Sequence, residues 1–226
     1  MAPLYRDGGS AAMADPQIEA LRRALETQTA LRREAEHRAR NLLQLVSSLV
    51  LLQARRTPEE RARQALHALH RRVGAVGVAQ RLVDPAHDGD WIDLAGVVRE
   101  LAAELAGAAG RPEVEVVLEL EAISAPARLG PPVALILVEA LGNALAHGFP
   151  AGRAGRVEVR LRRNADGFEL CVLDDGVGPA GEAPEGFGLA LMGLLAQQLR
   201  ARLVRTSAQP GLRLAVSVPI DATAQP

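Results

Sequence analysis

Apolar residues recur at helical spacing through the first quarter of the chain. Leu21, Leu25, Leu31, Ala35, Leu42 and Leu49 fall on one side of a 100°-per-residue wheel, with no breaker until about Arg55. The pattern predicts one helix of roughly 60 Å at 1.5 Å per residue. Asp15-Pro16 has the form of an N-cap followed by proline at the first helical position, and Glu19 sits where a capping-box acid would. Thr57-Pro58-Glu59-Glu60 repeats that start signal, and Ala62, Ala65, Leu66, Leu69, Val73 and Val76 form the stripe of a second helix. The connection is short, so the two helices are expected to lie antiparallel as a hairpin. One hairpin cannot bury both stripes. A second copy, closing a homodimeric four-helix bundle about a two-fold axis, is the expected solution; packing of the hairpin on the chain's own C-terminal domain is the alternative.

After the hairpin the texture changes. Val83-Asp84-Pro85-Ala86-His87-Asp88-Gly89-Asp90 has the composition of a linker and is expected to act as a hinge. Beyond it, Asp93 can cap a helix through about Ala108, and residues 113–120 alternate like a strand. Pro131-Pro132 opens a helix over 133–147, 156–162 and 167–173 read as strands, 189–200 as a helix, and 212–218 as a closing strand. This loose alternation predicts an α+β sandwich of two layers, one of helices and one of strands. The expected organisation is a disordered stretch at 1–14, the hairpin at 15–83, a linker at 84–92, the sandwich at 93–220 and a tail at 221–226.

Composition narrows the function classes. The formal net charge is −1 over 226 residues, so neither nucleic acid nor an anionic membrane is demanded as a partner. Every basic residue is arginine, which excludes Schiff-base and other lysine-amine chemistry. Aromatic residues make up only 2 % of the chain, so the core is expected to be Leu, Val, Ala and Ile. The single cysteine, Cys171, reads as a small buried hydrophobe in a strand. There is no apolar leader, and the longest apolar runs, 45–52 and 133–138, are shorter than a membrane span, so a soluble, cytoplasmic protein is expected.

Three candidate elements carry chemistry in the C-terminal half. Glu139, Asn143 and His147 are spaced i, i+4, i+8 and would project from one helix face, where a carboxylate, an amide oxygen and an imidazole could hold a hydrated Mg²⁺ and the phosphates it bridges. Asp174-Asp175-Gly176-Val177-Gly178 follows a strand; an aspartate there can accept a hydrogen bond from an exocyclic amine such as that of adenine, and the glycines let backbone approach a flat base. Gly186-Phe187-Gly188-Leu189 opens a helix, whose unpaired N–H groups favour phosphate. In the first helix, Arg33, His37, Arg40, Asn41, Gln44 and Ser48 gather opposite the apolar stripe, so His37 is expected to face solvent. His67 and His70, among Arg63, Arg71 and Arg72, read as a solvated outer face of the second helix that could also greet an acidic partner.

Together these elements resemble a known family. Residues 93–220 are similar to the GHKL ATP-binding fold of histidine kinases, gyrase and Hsp90. Residues 30–82 resemble the dimerisation and phosphoacceptor hairpin of histidine kinases of the second histidine-kinase A class. The hairpin core reads His37-Arg38-Ala39-Arg40-Asn41-Leu42-Leu43-Gln44, with arginine for the usual lysine and leucine for the second asparagine. The resemblance implies that His37 is the phosphoacceptor, Asn143 a Mg²⁺ ligand, Glu139 a polarising, general-base or metal-binding residue, and Asp174 the adenine contact. Gly176, Gly178, Gly186 and Gly188 would form the walls of the pocket, with His147 and Leu189 beside them. Glu36 would orient the imidazole or take its proton. Ala146 stands where the family often has lysine, and the lid between Gly178 and Gly186 is short and acidic, with Glu182 and Glu185. The implied activity is a sensor-less kinase that uses Mg²⁺ and ATP to phosphorylate His37 and passes the phosphoryl group to a response regulator. About thirty residues before the hairpin leave no room for a sensor, so input would come from a separate sensor protein or a region beyond this sequence. The alternatives are an ATPase of the gyrase or Hsp90 kind, an anti-sigma-like binding module, and a histidine phosphotransfer protein with a degenerate nucleotide site.

Overall fold

The structure, a computed structural model, describes residues 16–83, 91–150, 152–178 and 186–220. The expectations for a disordered start, for the linker over 84–90, for the lid acids Glu182 and Glu185 and for the C-terminal tail lie outside the described residues. The chain forms two compact units, residues 1–42 and 43–226.

Helix α1 (Pro16–Arg56) is 41 residues long. Over the first unit it is held by local interactions between side chains one turn apart: Arg23 with Glu19 at 3.3 Å, Arg32 with Glu36 at 3.2 Å and Arg38 with Glu34 at 2.5 Å. Glu19 therefore pairs with Arg23. Ile18, Leu21, Leu25, Leu31 and Leu42 of this unit are all exposed, Leu21 to 71 %.

In the second unit α1 ends where proline dictates. Pro58 lacks an N–H and pushes Thr57 out of helical geometry. Thr57 Oγ donates to the Gln53 carbonyl at 2.8 Å and its N–H to that of Ala54 at 3.3 Å, so it closes α1 and does not cap the next helix. Helix α2 (Glu60–Arg81) starts two residues later than the proline signal implied, with Glu59 at its N-cap and no side-chain cap bond. Its buried residues are Ala75, Val78 and Ala79, which join the core of the sheet domain. The stripe expected on α2 is not the buried one; Leu69 is 42 % exposed. The last turns of α2 thus pack on the chain's own domain, the alternative that the sequence left open, because small side chains let them come close to α4 (Gly130–Asn143). His70 also departs from the expected solvated face: it is half-buried, with Nδ1 3.0 Å from Ser47 Oγ on α1.

Five strands form the main sheet in the order β2-β4-β5-β7-β6, with β2 (Val114–Leu120) parallel to β4 (Gly155–Arg163) and the remaining pairs, through β5 (Gly167–Asp174), β7 (Leu212–Pro219) and β6 (Arg202–Ser207), antiparallel. A separate ribbon pairs β1 (Trp91–Asp93) with β3 (Ser124–Pro126), and Val83 bridges Ile92, so residues 91 and 92, read as linker, are strand. Neither β1, β3 nor β6 was expected. Helices α3 (Leu94–Ala109), α4 and α5 (Phe187–Gln198) bury one face of the sheet, where Val157, Val159, Leu161, Phe168, Leu170, Val216 and Val218 lie. The two-layer sandwich is as the alternation implied.

Period-2 alternation sends the intervening residues to the other face, where arginines and glutamates pair: Arg160 with Glu158 along β4 at 2.6 Å, and across strands Arg162 with Glu119 at 2.7 Å and Arg213 with Glu169 at 2.9 Å. The Arg160 guanidinium holds the Glu158 carboxyl below its usual range. Cys171 is buried on this face, and burial pushes its thiol up. The run Ala127–Gly148, which contains α4, is long and apolar enough to cross a membrane by composition, and 72 % of its most apolar 18-residue window is buried inside the chain.

Candidate nucleotide site and phosphoacceptor helix

Helix α4 carries the first part of the site. Its apolar residues Val133, Ile136, Leu137, Ala140 and Leu141 are buried and anchor it, while Glu139 and Asn143, one turn apart, share another side. The first turn of α5 comes up to that side. A Cβ on Gly188 would overlap Glu139 Oε2 and lie 3.6 Å from Asn143 Nδ2, so glycine is what lets the helix approach. Glu139 is buried and its two oxygens are both taken: Arg72 of α2 donates from Nε at 2.7 Å and from a terminal nitrogen at 3.2 Å. This bidentate geometry is the strong form of the ion pair. The same guanidinium lies over the Phe187 ring, 4.5 Å from its centroid. Arg72 is the residue of this site that sequence reasoning placed elsewhere. No periodicity or motif links it to a carboxylate 67 positions away.

After Asn143 the α-helix gives way to a π-helical turn, Ala144–Gly148, on which His147 is exposed, as Asn143 is. The turn delivers Gly148 to the end of β5. Its carbonyl accepts from the Val177 N–H at 2.8 Å, and it sits so close to Gly176 that a Cβ there would strike the Gly148 carbonyl. Asp174 is buried, with Oδ1 accepting the Gly176 N–H at 2.9 Å. Burial drives its carboxyl above the usual range against the lowering by the Gly176 and Leu212 N–H bonds. Gly178 has φ +71, a left-handed conformation that favours glycine, and lies against Gly211. Gly148 and Gly211 were not picked out from the sequence; both are lone glycines without a motif.

Gly186 caps α5 in extended geometry with open space around it, and Leu189 packs against the core. The Gly186 carbonyl takes the N–H groups of Leu189 and Ala190. Glu139, Asn143 and Gly188 are thus brought together at one end of the π turn, and Asp174, Gly176 and Gly178 at the other. The carboxylate and amide oxygens of Glu139 and Asn143 suit Mg²⁺, which needs few protein oxygens, and glycine at 176 and 188 is what lets the surrounding segments pack this closely. Among the described residues no group of three His, Cys, Asp or Glu gathers as a metal cluster.

In the first unit His37 is exposed on α1, with the Asn41 side-chain amide 3.4 Å from its Nδ1. The neighbouring Glu36 carboxylate accepts from Arg32 Nε at 3.2 Å.

Residues 34–109 match the family profile HisKA_2, described as histidine kinase. The sensor histidine kinase PdtaS of Mycobacterium tuberculosis is 31 % identical over 186 residues, 80 % of this chain and 36 % of that protein. The chain belongs to the histidine kinases of the HisKA_2 class. The blue-light-activated histidine kinase of Rhizobium johnstonii is 28 % identical, over 82 % of this chain and 52 % of that one. Among solved structures, the histidine kinase domain of the Erythrobacter litoralis EL346 blue-light activated histidine kinase superposes with a TM-score of 0.65 at 22 % identity, covering 80 % of this chain and 96 % of that domain. This likeness shows the fold, a helical hairpin followed by the GHKL-type sheet domain. The chain spans about a third of the length of PdtaS.

Proposed function

We propose that this histidine kinase phosphorylates His37 from Mg²⁺ and ATP and transfers the phosphoryl group to a response-regulator aspartate. The observation that carries the reading is the meeting of Glu139, Asn143 and Gly188 at one end of the π turn with Asp174, Gly176 and Gly148 at the other. Asn143 and Glu139 would hold the metal. Asp174 would accept the exocyclic amine of adenine, and the N–H groups opening α5 would meet phosphate. Bound Mg²⁺ and ATP supply the γ-phosphoryl group and neutralise its charge. The chain's own part is positioning. A neutral imidazole on an exposed helix face is a competent nucleophile, and the Asn41 amide, 3.4 Å from Nδ1, would engage that nitrogen while Nε2 attacks. Transfer forms an N–P bond as the β–γ bridging P–O bond breaks, and the histidine must then be open to a receiver domain.

The functional division we propose is a phosphoacceptor hairpin at 15–83 and an ATP-binding domain at 93–220, in a cytoplasmic homodimer. The exposed stripe of α1 supports the dimer: Leu45, Leu49 and Leu52 of the second unit are exposed, as Leu21 and Leu25 of the first are. Incubation with γ-labelled ATP and Mg²⁺ tests the reading. Wild type is expected to incorporate acid-labile label and His37→Ala none; equal labelling removes His37 as acceptor. One observation favours a second reading, a phosphotransfer protein without ATP: Arg72 occupies both Glu139 oxygens. That reading wins where the protein binds no nucleotide at millimolar concentration but accepts phosphoryl groups on His37 from a phosphorylated receiver.

A further inference from the structure

The Arg72–Glu139 pair has no role in the reaction as described, yet it sits on the residues that the reaction needs. Three observations meet there. Arg72 lies just past the middle of the second hairpin helix, whereas Glu139 belongs to the candidate metal site, so the bond joins two elements with separate tasks. The pair is sheltered, with side chains 18 % and 9 % exposed, so water screens it little. The guanidinium is also stacked on Phe187, the first residue of α5, next to the glycine that touches Glu139.

Glu139 presents two oxygens and both accept from Arg72. A carboxylate held in this fork cannot turn the same lone pairs to a hydrated cation. Metal and guanidinium therefore compete for one group.

We propose that Arg72 is a latch on the nucleotide site: in the nucleotide-free chain it holds Glu139 and Phe187, and binding of Mg²⁺ with a nucleotide displaces it and frees the adjoining turns of α2. This rests on the nucleotide reading above. The coupling is reciprocal, so whatever moves α2 away from α4 raises affinity for the metal nucleotide, and the metal nucleotide loosens α2 to the same extent. A latch closed about nine-tenths of the time weakens apparent affinity about tenfold.

The test titrates Mg²⁺–ADP into wild type, Arg72→Gln and Arg72→Lys by calorimetry, with folding of each checked by circular dichroism. Arg72→Gln is expected to bind about tenfold tighter than wild type, and Arg72→Lys, which keeps the charge but loses the fork, to fall between them. With ADP and a chelator the difference is expected to shrink to less than about twofold. Hydrogen exchange on the unaltered protein gives a readout that needs no variant: amides of residues 68–76 are expected to exchange faster when Mg²⁺–ADP is added. Equal affinity in all three proteins with unchanged exchange overturns the latch and leaves the nucleotide site standing. Weaker binding by Arg72→Gln also overturns it, making Arg72 a phosphate contact. No binding by any of the three overturns the nucleotide reading and the latch together.

Discussion

Residues 16–42 and the sheet domain are built from the same few apolar residue types, and they use them in opposite ways. In the first unit, leucines at helical spacing stand in solvent, Leu21 at 71 % and Leu42 at 64 % exposure, and Arg23 and Arg38 pair with glutamates one turn away. In the second, Phe168, Leu170 and Val216 are closed between strands and helices, and Leu137 and Leu141 close on them from α4. The difference teaches that a hydrophobic stripe specifies an element without specifying its cover. A stripe left open over forty residues is far larger than a lone surface leucine needs to be, and a second copy of the chain is the cover we propose.

The contrast can be broken most heavily in the core. Phe168→Ala, at a fully buried position, is expected to lower unfolding free energy by about 3–5 kcal/mol in urea titration, since the cavity cannot collapse between β5 and the helices. Gly176→Ala comes next, at about 1–3 kcal/mol, because the added Cβ meets the Gly148 carbonyl; nucleotide affinity is expected to fall with it. On the other side of the comparison, replacing Leu21 and Leu25 together by glutamate is expected to turn a dimer into a monomer by light scattering. The melting of the sheet domain should stay within a few tenths of a kcal/mol, as for surface changes generally. A dimer that survives, or a sheet domain that melts, ends the idea that the stripe is covered by a second copy.

The smallest expected effect sharpens the site. Asp174 has a carboxyl pKa raised by burial, so the folded state binds its proton more tightly than the unfolded chain does. Below the unfolded value both states are protonated and ionisation costs nothing. As pH rises through the folded value, the folded state alone bears the cost of a buried charge, and stability falls. Asp174→Asn removes that cost while keeping an oxygen for the Gly176 N–H. A slightly higher melting temperature at pH 7, no gain at pH 3 and a loss of nucleotide affinity are expected; equal affinity would remove Asp174 as the base contact.

Sequence alone settled what depends on neighbours along the chain. The 3.6-residue period determined α1, α4 and α5, and the period of two determined β4, β5 and β7, because those patterns report which side of an element is apolar. The glycines of the Asp174–Gly178 turn and of Gly186–Gly188 were legible for the same local reason. Tertiary structure decided the rest. β1 and β3 are three residues each and owe their pairing to a partner some thirty residues away, and β6 is an edge strand with only β7 beside it. The π turn sets Gly148 against Gly176, and Thr57 closes α1 because of the proline beyond it. Above all, Arg72 meets Glu139 only because α2 lies on α4. Periodicity assigns a charged residue to a face; which charge then waits opposite is fixed by how two helices pack, and no single stretch of sequence carries that information.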